Sequence, residues 1–346
     1  MAVLASILGL LGIPVGVYLA SLCARGGVSA WAWGWLVVYV LLDVAAFSAQ
    51  NNPRRARITL GAALALLALI AGVRHARVHP MPAGLTVMLP SEKPGPWIDR
   101  LGEDGDLGMM VFVVMGDFGG VRPDDRRRAK PYLRAAWARM RRDLEFAPIP
   151  SPLVSNILGR TSASNVHTLV LNPPQQAKAS RAVIYLPGTG GSSKLPCYLL
   201  ARRMPDAMIV CPTMGMGGEW ANDEGEAAWG HVLTYTRNRA EMVYVIGEGY
   251  GGRGLLHLLS RNLLGHLSGA VLLAGYEEAY FDQVRRSSIP LLILRGDEDA
   301  RTPAFRVEGV AGLERVQSVE LAAGHYVLYE QEDEVLERLD TFCGGR

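Results

Sequence analysis

The sequence predicts an α/β protein: a mostly parallel, doubly wound sheet preceded by an N-terminal helical transmembrane anchor. Two patterns predict it. From residue 166 onward, short Val/Ile/Leu runs alternate with helical stretches, as expected of strands covered on both faces by crossover helices. Before residue 74, long apolar stretches run almost without charge, and they hold a disproportionate share of the 49% of the 346 residues that are apolar. Lys and Arg total 35 against 33 Asp and Glu, a net charge of +2. That balance gives no global reason to expect nucleic acid as a partner.

The anchor is expected over residues 1–77. Residues 2–22 carry no charge, 28–47 are broken only by Asp43, and 58–73 form a shorter third run. A spanning helix needs about 20 apolar residues, so the first two qualify on length. The third needs Arg57 and Arg74 to snorkel from its ends. Trp31, Trp33 and Trp35 cluster at one end of the second run, where indoles favour the headgroup level. The first run lacks a basic leader and a small-x-small cleavage site, so a three-helix, multi-pass anchor is expected rather than a signal peptide. Its orientation is open: Arg54, Arg55 and Arg57 on one side balance Arg25, Arg74 and Arg77 on the other. Asp43 reads as a functional intramembrane carboxylate or as a group at a helix end or facing a neighbouring helix.

Residues 78–165 read as a connector. Gly and Pro are frequent over 78–120, with extended-looking pieces such as 109–115. Nine Arg or Lys then fall in 122–142 against Asp124 and Asp125, and Leu133, Trp137, Met140 and Leu144 recur at helical spacing. A basic amphipathic helix is expected near 131–145, with Pro131 in its first turn. It would lie on anionic headgroups or present a solvated basic face over an ordinary core stripe.

The last unit, 166–346, has strand-like runs at 167–171, 182–186, 207–211, 243–246, 270–274, 290–295 and 316–321, with helices such as 224–238, 252–263 and 329–342 between them. In such sheets the working groups sit in loops at the carboxyl ends of strands. Four loops there carry chemistry. They are Pro187-Gly188-Thr189-Gly190-Gly191-Ser192-Ser193, then Gly247-Glu248-Gly249-Tyr250-Gly251-Gly252, then Gly296-Asp297-Glu298-Asp299 before Thr302-Pro303, and last Ala323-Gly324-His325. Four widely spaced cysteines, Cys23, Cys197, Cys211 and Cys343, form no CxxC and give no case for a disulfide framework or a zinc site.

The order of these loops, Gly-rich loop, Gly-rich elbow, acid and histidine, resembles the α/β-hydrolase superfamily of serine esterases and lipases. The resemblance covers about residues 166–343. The segment 109–190 is also loosely similar to bacterial relatives of platelet-activating-factor acetylhydrolase and dienelactone hydrolase. The superfamily resemblance implies that Asp299 is the acid and His325 the base of a triad. It further implies that Gly247, Gly251 and Gly252 shape the elbow, and that backbone N–H groups at Thr189 and Tyr250 form an oxyanion hole. The family's nucleophilic serine is replaced by Gly249. Glycine adopts a strained elbow conformation at no steric cost, so the turn can persist while the attacking oxygen is gone.

Three readings follow for the site. The fold serves as a binding or scaffolding module, a pseudo-hydrolase for acyl or lipid-like ligands or a membrane-protein partner. Alternatively His325 and Asp299 activate water without a covalent step, or Ser192 or Ser193 replaces the missing hydroxyl. A rival from another class is nucleotide binding, because Gly247-x-Gly249-x-x-Gly252 follows a strand and opens a helix, with Glu277 and Glu278 beyond the next strand. That rival leaves Asp299 and His325 unexplained. Gly188–Lys194 lacks the second P-loop glycine, which is Ser193. His231, His257 and His266 show no metal spacing, and Trp220 and Trp229 read as core. No cofactor or metal is expected.

Overall fold

The computed structural model describes residues 2–49, 52–77, 86–100, 102–174, 178–188, 193–215, 220–275, 278–301 and 308–344. The chain divides into two compact units, one formed by residues 1–80 and 100–121, the other by 81–99 and 122–346. Residues of the expected connector fall in both units, 100–121 in the first and 81–99 with 122–165 in the second.

The first unit is helical: α1 (Ala2–Gly26), α2 (Ala30–Ser48), α3 (Pro53–Arg77) and α4 (Asp104–Asp117). By length and composition, α2 and the Pro53–Val73 part of α3 are apolar enough to cross a bilayer. The third run is longer as a helix than as an uncharged stretch, because α3 begins at Pro53 and takes in its flanking arginines. Helix α1 continues through Pro14. Asp43 faces the neighbouring helix: a Cβ added to Gly12 of α1 would lie 1.9 Å from its Oδ1. One α2 turn earlier, Tyr39 donates its hydroxyl to the Gly12 carbonyl at 2.9 Å.

Helix α4 replaces the extended piece expected at 109–115. Its ends are held by charge: Asp106 accepts from the backbone N–H and the hydroxyl of Ser29, and Arg25 grips Asp117 with its two terminal guanidinium nitrogens at 2.7 and 2.6 Å. Between these ends Met109, Phe112 and Val113 are buried. Tertiary contact thus overrides the β-branched local sequence.

The second unit carries a nine-stranded sheet among the described residues: β1 (Thr86–Leu89), β2 (Lys93–Pro94), β3 (Val166–Leu171), β4 (Ala179–Leu186), β5 (Met208–Thr213), β6 (Ala240–Glu248), β7 (Gly269–Leu273), β8 (Leu291–Gly296) and β9 (Val316–Leu321). The order is β2-β1-β3-β5-β4-β6-β7-β8-β9. From β5 to β9 neighbouring strands are parallel, whereas β1 and β3 pair antiparallel. Alternation along the strands divides the core. Ala182, Ile184, Val243, Val245, Leu291 and Ile293 belong to one buried cluster with Trp220 and Trp229. Both tryptophans are core residues, as the default reading expects. Gly254 exists to admit Trp220, since a Cβ there would come within 2.1 Å of the Trp220 Cβ.

The covering helices are α5 (Pro123–Arg142), α6 (Leu153–Ile157), α7 (Lys194–Arg203), α8 (Asp223–Arg237), α9 (Tyr250–Ser260), α10 (Phe281–Arg286), α11 (Glu308–Ala311), α12 (Val327–Glu330) and α13 (Glu332–Phe342). Helix α5 starts eight residues before the expected Pro131. Pro123 takes the first-turn position, Asp124 and Asp125 complement the helix dipole, and Pro131 lies inside the helix. Leu133, Trp137 and Met140 are buried as the spacing implies, while Leu144 falls beyond the helix end and is exposed. The apolar stripe packs on α7 and α12. The stripe is thus an ordinary core face, and a lipid surface would meet only the basic side.

One cysteine pair departs from expectation. Cys197 of α7 and Cys211 of β5 are joined in a disulfide, whereas Cys23 and Cys343 are free and buried. A spacing of 14 residues has no motif signature; the pair is made by α7 folding back over β5.

Candidate functional site

Three loops at the carboxyl ends of β6, β8 and β9 converge. The first is the turn from β6 into α9. Gly249 has φ +52° and ψ −116°, left-handed backbone that side chains rarely adopt. Its N–H is fixed by the Leu273 carbonyl at 3.0 Å, and its own carbonyl accepts from Gly252 and Arg253. The flanking glycines answer to close approach. A Cβ at Gly251 would lie 2.1 Å from the Leu186 carbonyl oxygen, one at Gly252 2.1 Å from that of Gly275, and one at Gly247 2.6 Å from that of Gly251. These contacts explain the G-x-G-x-x-G match without a pyrophosphate: the helix is pressed onto the ends of β4 and β7.

Of the elbow glycines Gly247, Gly249, Gly251 and Gly252, only Gly249 leaves room for a side chain. An ideal Cβ built there meets only His325 Nε2, at 3.9 Å, and the Gly188 Cα, at 4.0 Å. A serine hydroxyl extends about 1.4 Å beyond Cβ, so its oxygen could reach hydrogen-bonding distance of the imidazole.

The second and third loops are tied together. Asp297 Oδ1 accepts the Ala323 N–H at 3.0 Å, Glu298 donates its N–H to the Ala323 carbonyl, and Asp297 donates to Leu321. This places the carboxylate of Asp299, itself buried, beside the imidazole: Asp299 Oδ2 lies 3.0 Å from His325 Nδ1. The other oxygen, Oδ1, accepts the Arg301 N–H at 2.9 Å. The His325 side chain keeps 16% exposure against 0% for Asp299, so the pair has a closed end and an open one. Helix α5 braces the histidine loop. Arg128 pairs with Glu330 at 3.0 Å, and Glu330 accepts the Gly324 N–H at 3.1 Å.

Of the other expected site residues, Tyr250 is the first residue of α9, so its N–H has no acceptor within the helix. That N–H nitrogen lies 3.7 Å from an ideal Cβ on Gly188, which sets it beside the loop that follows β4. Thr189 and Ser192 lie outside the described residues, as do Glu277, Thr302 and Pro303. Ser193 is buried with its hydroxyl 2.9 Å from that of Thr213. It is held in the core and does not replace the missing nucleophile. His257 pairs with Glu226 at 2.9 Å.

Sequence reading missed one group at the site. Glu248, between two elbow glycines, accepts the hydroxyl of Tyr185 on β4. Burial pushes its carboxyl above the usual carboxylate range, while the Tyr185 hydrogen bond and the charge of His325 pull it back. Tyr185 and Tyr326 are likewise raised, chiefly by burial. The only sequence signal was a carboxylate at the elbow's variable position.

No protein-family model and no curated protein matches the sequence. Similar solved structures include the esterase Est1E from Butyrivibrio proteoclasticus, 13% identical with a TM-score of 0.42, aligned over 51% of this chain and 93% of its own. The esterase EaEST from Exiguobacterium antarcticum is 10% identical with a TM-score of 0.42, over 53% and 97%. An α/β serine hydrolase homologue from Coxiella burnetii is 16% identical with a TM-score of 0.39, over 51% and 91%. The sheet order, the strand–turn–helix elbow and the loop-borne acid and histidine give the second unit the architecture of the α/β-hydrolase fold.

Proposed function

We propose that this chain is a membrane-anchored α/β-hydrolase-fold protein that binds acyl or lipid-like ligands, or a membrane-protein partner, without covalent turnover. The observation that carries this reading is the empty seat at Gly249, with His325 Nε2 the nearest side-chain atom to a Cβ built there, at 3.9 Å. Loss of the nucleophile alone costs a serine hydrolase on the order of 10⁶ in kcat. What binding and an oxyanion hole retain, ~10³–10⁴ over water, is far below normal turnover. The anchor is supported by α2 and α3 and by large apolar side chains left exposed on the helical unit, among them Val17, Ile58 and Leu69. Such a surface suits lipid rather than water.

A second reading has its own support. The Asp299–His325 pair is assembled, and its free nitrogen faces the space a serine oxygen would fill. Water there would be positioned for general-base attack. Hydrolysis of a short-chain p-nitrophenyl ester by wild type, Gly249→Ser and His325→Ala separates the two. We expect turnover in Gly249→Ser alone, at least ~10²-fold above wild type, part of the ~10⁶ that a nucleophile supplies. Wild-type turnover abolished by His325→Ala replaces the binding role with water activation.

A further inference from the structure

We infer that the sheet-bearing unit, and with it the site around Gly249, faces the oxidising side of the membrane, and that the turn between α2 and α3 faces the reducing side. This rests on the anchored reading above. Its own basis is the bond between Cys197 and Cys211. Their Cα atoms are 6.5 Å apart, and both residues are fully buried. The separation lies within the ordinary range for a disulfide. A redox-catalytic pair needs an accessible, activated thiolate, and these sulfurs lie in the core between α7 and β5. The bond is therefore structural, and structural disulfides persist where the compartment is oxidising and are rare in the cytosol.

The sidedness needs only one crossing. Helix α3 alone separates the turn before it from the second unit, so the result is the same whether or not α1 also spans. Arg54, Arg55 and Arg57, which open α3, then lie on the cytosolic side and are balanced by Arg25, Arg74 and Arg77 on the other, so the charge count neither supports nor opposes the assignment. Charge counting alone left the orientation even; the disulfide decides it. The consequence for function is a restriction on ligands. Whatever occupies the Gly249 seat is met outside the cytosol, so cytosolic acyl donors are excluded and acyl-bearing molecules of the cell envelope or exterior are admitted.

The test uses the full chain in intact cells with a C-terminal epitope tag. Intact cells are treated with N-ethylmaleimide and then dissolved in denaturant that contains it, so that free thiols are trapped; the protein is reduced, and newly exposed thiols are tagged with maleimide-polyethylene glycol. Two tags per chain are expected. External protease on spheroplasts should remove the epitope, while an epitope placed at residue 50 should stay protected. Carbonate washing of the membranes reports on anchoring separately. A chain that resists carbonate yet carries no new tags and keeps its C-terminal epitope overturns the inference and leaves the anchored reading standing. A chain released by carbonate overturns the anchored reading, and the sidedness with it.

Discussion

Two histidine–aspartate pairs sit in the same unit, and only one is placed to act. His325 and Asp299 occupy loops beyond β9 and β8, with Nδ1 3.0 Å from the carboxylate and Nε2 toward the elbow. His167 lies within β3, 3.2 Å from the carboxylate of Asp99, with side-chain exposures of 1% and 0%. A Cβ on Gly95 would come within 2.7 Å of its Nε2, so backbone seals that end. Asp99 is further committed to the Ser155 N–H at 2.8 Å. Residue types are identical in the two pairs; strand interior against strand end decides which imidazole can meet a ligand. A sealed pair can only pack, whereas a pair with one open end leaves its imidazole accessible to a ligand.

The largest effect that would break this comparison is kinetic. In a Gly249→Ser background, Asp299→Asn should lower ester turnover by ~10⁴, because the wrong imidazole tautomer faces the serine. Asp99→Asn in the same background should leave turnover per folded molecule unchanged. Steady-state rates normalised to folded protein test both. A comparable loss from Asp99→Asn would show that the buried pair feeds the site, and the distinction would fail.

Stability should invert the order. His167→Ala opens a cavity in the sheet and leaves Asp99 buried without its partner, an expected cost of about 3 kcal/mol or more. His325→Ala removes a side chain that already meets solvent and should cost about 1 kcal/mol or less. Urea titration in detergent, followed by tryptophan fluorescence, compares the midpoints directly. Equal midpoints would mean that the His325 loop is as much a part of the core as β3.

The same contrast explains what was legible in the sequence. Strands β3 to β8 were readable because largely apolar, β-branched-rich runs leave few alternatives to buried strands, and β9 was readable as a shorter apolar pattern interrupted by Gln317, Ser318 and Glu320. Strand β1 was not, being four residues long and set in a Pro-rich stretch. Helix α4 was misread because nearly every position between Asp106 and Asp117 is apolar, which erases helical period; the helix is fixed by Ser29 and Arg25 at its ends. Asp299, His325 and Gly249 were singled out through loop order and the family resemblance that this order carries. Glu248 and Tyr185 were not, because their partnership exists only once β4 and β6 are adjacent and in register. The Cys197–Cys211 bond is hidden for the same reason.

The smallest expected effect concerns Glu248, the carboxyl that feels the charge of His325 and anchors the Tyr185 hydroxyl. Burial raises it above its ordinary value of 4.5, so the folded state favours the protonated form. A carboxyl raised on folding contributes stability that is fully present below the unfolded value and is lost as pH rises through the folded one. Glu248→Gln cannot titrate, yet its amide oxygen still accepts from Tyr185. The thermal midpoint of Glu248→Gln relative to wild type should therefore climb steadily as pH rises from about 4.5 toward neutrality, and the difference should be constant below that range. A parallel pair of curves would mean that the carboxyl ionises as freely in the fold as in the unfolded chain. The open end of the His325 site would then be wetter than the burial of Glu248 implies, and the contrast with the sealed His167 pair would widen.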